Sequence, residues 1–71
     1  MKKVEITTEP IELYKILKFE GWASSGGEAK AIIAAGQVLV NNRVETQKRK
    51  KIVAGDVIAL GEEMILIVAG E

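Results

Sequence analysis

The stretch "GQVLVNNRVETQKRKKIVAGDVIAL", residues 36–60, changes its period and its charge twice, and those changes mark the elements of the fold. After Gly36, "QVLV" alternates toward and away from a core, as a strand does, and "VET" resumes the pattern after "NNR". The intervening Asn41 and Asn42 can both take positive φ, so residues 37–46 are expected to form a hairpin with its turn at Asn41 to Arg43. "TQKRKK", residues 46–51, then abandons alternation for four adjacent cations. Gly55-Asp56 marks a turn, with Asp56 an Asx-type turn former. The turn feeds "VIALG", and "MILIVAG" follows Glu62 and Glu63 as the return strand of a second hairpin. The pair Glu62–Glu63, with no His, Cys or metal spacing nearby, is expected to be solvated turn residues.

Upstream, "KKVEIT" has the period of a half-buried strand with Val4 and Ile6 facing inward. "TEPIELYKILKFEG" predicts a helix over about residues 10–20: Thr8 or Glu9 as cap, Pro10 in the first turn, Gly21 as the stop. Leu13, Ile16 and Leu17 form its inward stripe, which turns Lys15 and Lys18 outward beside Tyr14 and Ile11. In "WASSGGEAKAIIAAG", Ser25 with Glu28 three residues on predicts a capping box, and Gly36 ends the second helix. Ala29, Ile32 and Ile33 share one side of it, and its many alanines allow close packing against a neighbour. Trp22, just past a helix end, fits a hydrophobic plug, with base stacking as its alternative. Phe19 is expected in the core or at its rim. The expected class is α+β, two short packed helices against a small, mainly antiparallel sheet of about five strands, in a single domain spanning residues 1–71.

A chain of 71 residues lies near the size at which apolar burial only just offsets backbone ordering. It has no Cys and no His, which removes the commonest nucleophile, general base and zinc ligands together. No enzyme, metal or cofactor is therefore expected. The N-terminus "MKKVEITTEP" meets acids and a proline instead of an apolar segment, so an intracellular, cytoplasmic and non-membrane protein is expected.

The net charge of zero averages two unlike regions: residues 43–51 hold five cations and one acid, and the other five cations face nine acids. Lys48, Arg49, Lys50 and Lys51 repel one another unless a polyanion neutralises them, and a partner rich in phosphate would do so. Lys15, Lys18, Lys30 and Arg43 could join them in one positive surface if the helix pair and the hairpin lie side by side. The glycines of "SSGGE" offer two readings at the second helix start. One is the capping box; the other is a phosphate nest in which Ser25, Gly26 and Gly27 meet an anion, which the Glu28 carboxylate opposes. With few aromatic residues, serial stacking on a single strand is disfavoured, and recognition of folded RNA by shape and phosphate position fits better.

The order of two helices, "GQVLVNN", a basic stretch and "KIVAGDVIAL" resembles the S-four RNA-binding domain, named for small-subunit ribosomal protein four. That domain also occurs in pseudouridine synthases, tyrosyl-tRNA synthetases and heat-shock RNA binders. The matching pattern is Gly36-x-Val38-x-Val40-Asn41 with Ile52-x-x-Gly55-Asp56-x-Ile58. "LKFEG" and "SGGEAK" resemble its short free-standing bacterial members. The resemblance implies an L-shaped surface, the alpha-L motif, set against structured RNA of ribosomal or transfer type. It implies a monomer acting in ribosome assembly or translation, with the ribosome or an assembly intermediate as partner. Carried onto this chain, the contacts come from Ser25 to Lys30, from Asn41, Asn42 and Arg43, and from Lys48 to Lys51. Many members have an arginine after the helix-two serine where this chain has Gly26 and Gly27, which shifts the burden to the later cations. Many also have Asn-Gly where this chain has Asn41-Asn42. The rival reading is an adaptor that docks its basic run on an acidic protein.

Overall fold

Alternation in "KKVEI" produces strand β1, Lys2–Ile6, whose Ile6 is buried and Val4 half-buried. In the computed structural model, which describes residues 1–70, the chain continues through β2 (Ile11–Glu12), α1 (Leu13–Phe19) and α2 (Gly26–Ala34). The strands β3 (Val38–Val40), β4 (Arg43–Val44), β5 (Lys51–Ile52), β6 (Val57–Leu60) and β7 (Glu63–Ala69) follow. Five of them form one sheet in the order β1-β7-β6-β3-β4, antiparallel throughout except that β1 runs parallel to β7. The remaining two, β2 and β5, pair antiparallel as a separate short ladder. This is the expected α+β arrangement of two helices on a mainly antiparallel five-stranded sheet.

Both glycine stops act as expected. Gly21 and Gly36 take φ of +75° and +77°, and the amides of Trp22 and Gln37 reach back to the carbonyls of Leu17 and Ile32. These are Schellman closures, in which the left-handed residue lets the chain satisfy carbonyls that the helix end leaves free. The predicted start of the first helix is wrong by a turn. Ile11 and Glu12 are extended and pair with Ile52 and Lys51, so α1 begins only at Leu13. The helical period of residues 10–20 loses to burial here, because Ile52 is wholly buried opposite Ile11. Glu9, expected near the cap, instead accepts from the amide of Ala54 at 3.1 Å.

The second hairpin also shifts by one residue. Glu63 is the first residue of β7, opposite Leu60, and the turn is Gly61-Glu62 with Gly61 at φ +60°. In the first hairpin Arg43 belongs to β4, opposite Val40, and the turn is Asn41-Asn42 alone, with φ of 51° and 71°.

One core unites the layers: Leu13, Ile16 and Leu17 of α1, Ala29 and Ile33 of α2, and Val38, Val40, Ile58, Ile65 and Ile67 of the sheet. Burying side chains of this size contributes about 1.5–3 kcal/mol each relative to exposure. Trp22 packs half-buried against that core, as a plug should, whereas Phe19 stands 75% exposed and is not part of it.

Candidate nucleic-acid interface

Helix α1 starts without a side-chain cap, since Glu12 at its N-cap makes no capping bond. The first amides of any helix lack partners within it. Here they find them in the cationic run: Leu13 donates to the Lys50 carbonyl at 2.9 Å and Tyr14 to the Lys48 carbonyl at 3.2 Å. The backbone of the run thus caps α1. Its far end is held by the β2–β5 ladder and the buried side chain of Ile52. Fastened on both counts, Lys48, Arg49, Lys50 and Lys51 present exposed side chains beside the first turn of the helix.

Tyr14, half-buried against the core, is where three segments meet. The Lys30 ammonium lies 4.7 Å from its ring centroid, the Arg49 guanidinium 5.8 Å and the Lys15 ammonium 6.0 Å. A ring quadrupole attracts cations within about 6 Å, so one aromatic side chain gathers charge from α1, α2 and the loop before β5. Gly26 lies close by: a Cβ there would rest 3.7 Å from Tyr14 Cε2, so the first turn of α2 stands about one methyl group from the ring. Lys18 sits four residues beyond Tyr14 on the same side of α1, exposed.

One acid is interleaved with these cations. Glu12 pairs with Lys15 at 3.4 Å and with Arg49 at 3.5 Å, and it stands opposite Lys51 across the short ladder. Among the described residues, Lys18, Lys48, Lys50 and Lys51 make no ion pair. Lys2, outside this surface, is paired with Glu20 at 2.9 Å.

The α2 start forms a capping arrangement. Ser25 Oγ accepts from the Glu28 amide at 3.1 Å, and the Glu28 carboxylate accepts from the Ser24 amide and hydroxyl at 3.3 and 3.0 Å. The return bond goes to Ser24 and not to the cap residue itself, so the box is displaced by one position. A carboxylate therefore stands at the helix end where the nest reading put a phosphate.

The hairpin turn is built differently. The Asn41 amide nitrogen donates to Asp56 at 3.0 Å, its amide oxygen accepts from Val57 N–H at 2.9 Å, and its own N–H donates to the Val57 carbonyl at 2.7 Å. The second Asp56 oxygen accepts from Val53 N–H at 3.0 Å and the Asp56 N–H donates to the Val53 carbonyl at 3.1 Å. Asp56 thus closes the turn at Gly55 as expected, but by reaching back three residues and not through the Asx-type bond to the residue two ahead. Asn42 and Arg43 are exposed. Arg43 emerges on the helix-covered side of the sheet, because it is opposite the buried Val40.

The structure thus brings Lys15, Lys30 and Arg49 together around Tyr14, with Lys18 and the other cations of the run flanking them. Asn41 and Asn42 form the turn of the β3–β4 hairpin and Arg43 opens β4, and Arg43 is not among the cations at the Tyr14 ring. The sequence pattern placed Tyr14 beside Lys15 and Lys18 on the outer face of the first helix and drew neither the ring nor Glu12 into the site. The available signal was the run Glu12-x-Tyr14-Lys15, with an acid, a ring and a cation within one turn.

A model of the S4 domain matches residues 4–68. The chain is 49% identical over 59 residues to YbcJ of Escherichia coli strain K12, provisionally named an RNA-binding protein, with 83% of this chain and 84% of YbcJ covered. It is 35% identical over 57 residues to RlbA of Bacillus subtilis strain 168, provisionally named a ribosome maturation protein, with 80% of each covered. A solution structure of E. coli YbcJ, described as revealing an αL motif involved in RNA binding, superposes with a TM-score of 0.73. It is 44% identical, and 97% of this chain and 89% of that one are covered.

Proposed function

This chain belongs to the S4 domain family, and from that premise we propose that it binds structured RNA through the cationic surface around Tyr14. It acts by positioning phosphates and not by catalysis, on RNA of ribosomal or transfer type, in ribosome assembly or translation in the cytoplasm. The names of its relatives, one assigned to RNA binding and one to ribosome maturation, support this reading.

The observation that carries it is the fastening of the basic run onto α1 by the Leu13 and Tyr14 amides. Without that join, the cations of α1, α2 and the loop would be ordinary solvated side chains. With it, Lys15, Lys18, Lys30, Lys48, Arg49, Lys50 and Lys51 form one face that a folded polyanion can meet at several phosphates together. Ser25, Gly26 and Gly27 border that face at the start of α2. Asn42 and Arg43 offer a second, smaller arm, which Asn41 holds in shape.

Replacing Lys48, Arg49, Lys50 and Lys51 together by Ala tests the reading. The slope of log affinity against log salt should flatten by about 3 if roughly four phosphates lose their partners. Unfolding stability should stay within about 0.5 kcal/mol, since exposed cations contribute little. Equal RNA affinity in the two proteins would defeat the reading, and preference for an acidic protein over RNA in a competition assay would favour the adaptor.

A further inference from the structure

We propose that Tyr14 is the positioning residue of this surface: its ring holds Lys15, Lys30 and Arg49 at a common centre before any ligand arrives. The inference rests on the RNA-binding reading but goes beyond it, because it assigns affinity to a side chain that carries no charge. Three facts converge. The three cations come from three separate segments, yet each approaches the one ring to between 4.7 and 6.0 Å. The ring itself is anchored, being half-buried against the core, with the start of α2 close enough that a methyl at Gly26 would touch it. The Tyr14 amide also holds the Lys48 carbonyl, so the same residue fixes both the run's backbone and the Arg49 side chain.

The physical consequence concerns entropy. Lys and Arg side chains lose rotamer freedom when they are fixed against a ligand, and a side chain already held loses less. A central ring lowers that cost for three cations together. It also keeps their mutual spacing, so phosphates of a folded RNA at fixed separation are favoured over a flexible polyanion of equal charge.

Two measurements test this, and their failures are distinguishable. In the free protein, NMR should show the Lys30 Hε protons shifted upfield by the Tyr14 ring current. That shift should persist in Tyr14→Phe and vanish in Tyr14→Leu. Unshifted Lys30 Hε protons in the wild type would overturn the inference, whether or not the Leu variant folds.

The second measurement is binding to a fluorescein-labelled RNA hairpin, with single-stranded polyuridylate as the flexible comparison. Wild type and Tyr14→Phe should bind the hairpin alike, and Tyr14→Leu about tenfold more weakly, with a smaller loss on polyuridylate. If Tyr14→Phe is as weak as Tyr14→Leu, the hydroxyl contacts the ligand and the positioning role is wrong. If Tyr14→Leu binds as the wild type does, the ring is core packing only. If the wild type binds neither RNA, the RNA-binding reading itself fails while the NMR result still stands or falls alone.

Discussion

The basic junction and the Asn41-Asn42 turn resemble each other in sequence role, since both were candidate RNA contacts, yet each is fastened by an opposite kind of side chain. At the junction the anchor is apolar: Ile52 is fully buried, and the polar groups around it are left exposed. At the turn the anchor is polar: the Asn41 amide is engaged with Asp56 and Val57, and the chain there holds positive φ at two successive residues. An apolar anchor leaves neighbouring charges free for a ligand. A polar anchor consumes the group that a ligand would need. The difference teaches why a run of lysines can serve as a binding surface while an asparagine of similar exposure serves the fold.

Removing each anchor separates the two cases. Ile52→Ala should cost the most, about 3–4 kcal/mol by urea unfolding, from lost burial and the cavity left at the centre of the core. Where the variant is still mainly folded, at low temperature, it should also bind RNA more weakly, because the run's far end is loosened. Asn41→Ala should cost about 2 kcal/mol, combining the lost bonds to Asp56 and Val57 with positive φ in a residue that disfavours it. Its RNA affinity in the folded state should stay within about twofold. A large loss of RNA binding in Asn41→Ala with little loss of stability would reverse the comparison and make the turn a contact in its own right.

Legibility in the sequence followed the range of the interaction involved. Helix ends set by Gly21 and Gly36 and the cap at Ser25 depend on residues within about five positions of one another, and the sequence pattern showed them. The Asn41-Asn42 turn was legible from its tolerance of positive φ, although Asp56 and Val57, fifteen and sixteen positions on, hold it. The start of α1 did not, because it is decided by pairing between Ile11 and Ile52, forty-one positions apart. The same limit governed the site. The cations were visible as a list, and the family resemblance indicated their joint use. That they meet at Tyr14 follows from two backbone bonds between α1 and the run, which no local pattern encodes.

The smallest expected effect belongs to Glu12, the one acid set among the junction's cations. Its carboxylate lies 3.4 Å from Lys15 and 3.5 Å from Arg49, half-exposed, where ion pairs contribute under about 1 kcal/mol. Because Ile52 and the α1 amides already hold the run, Glu12 is not needed to place it; its main influence is as a negative charge beside the surface a phosphate must approach. Glu12→Gln should therefore leave stability within about 0.5 kcal/mol and tighten RNA binding by about two- to threefold at low ionic strength. Added salt should narrow that gain, since screening weakens the repulsion that the substitution removes. Weaker binding by Glu12→Gln would mean that the carboxylate helps the ring to hold Lys15 and Arg49, and the junction would then share the turn's dependence on a polar anchor.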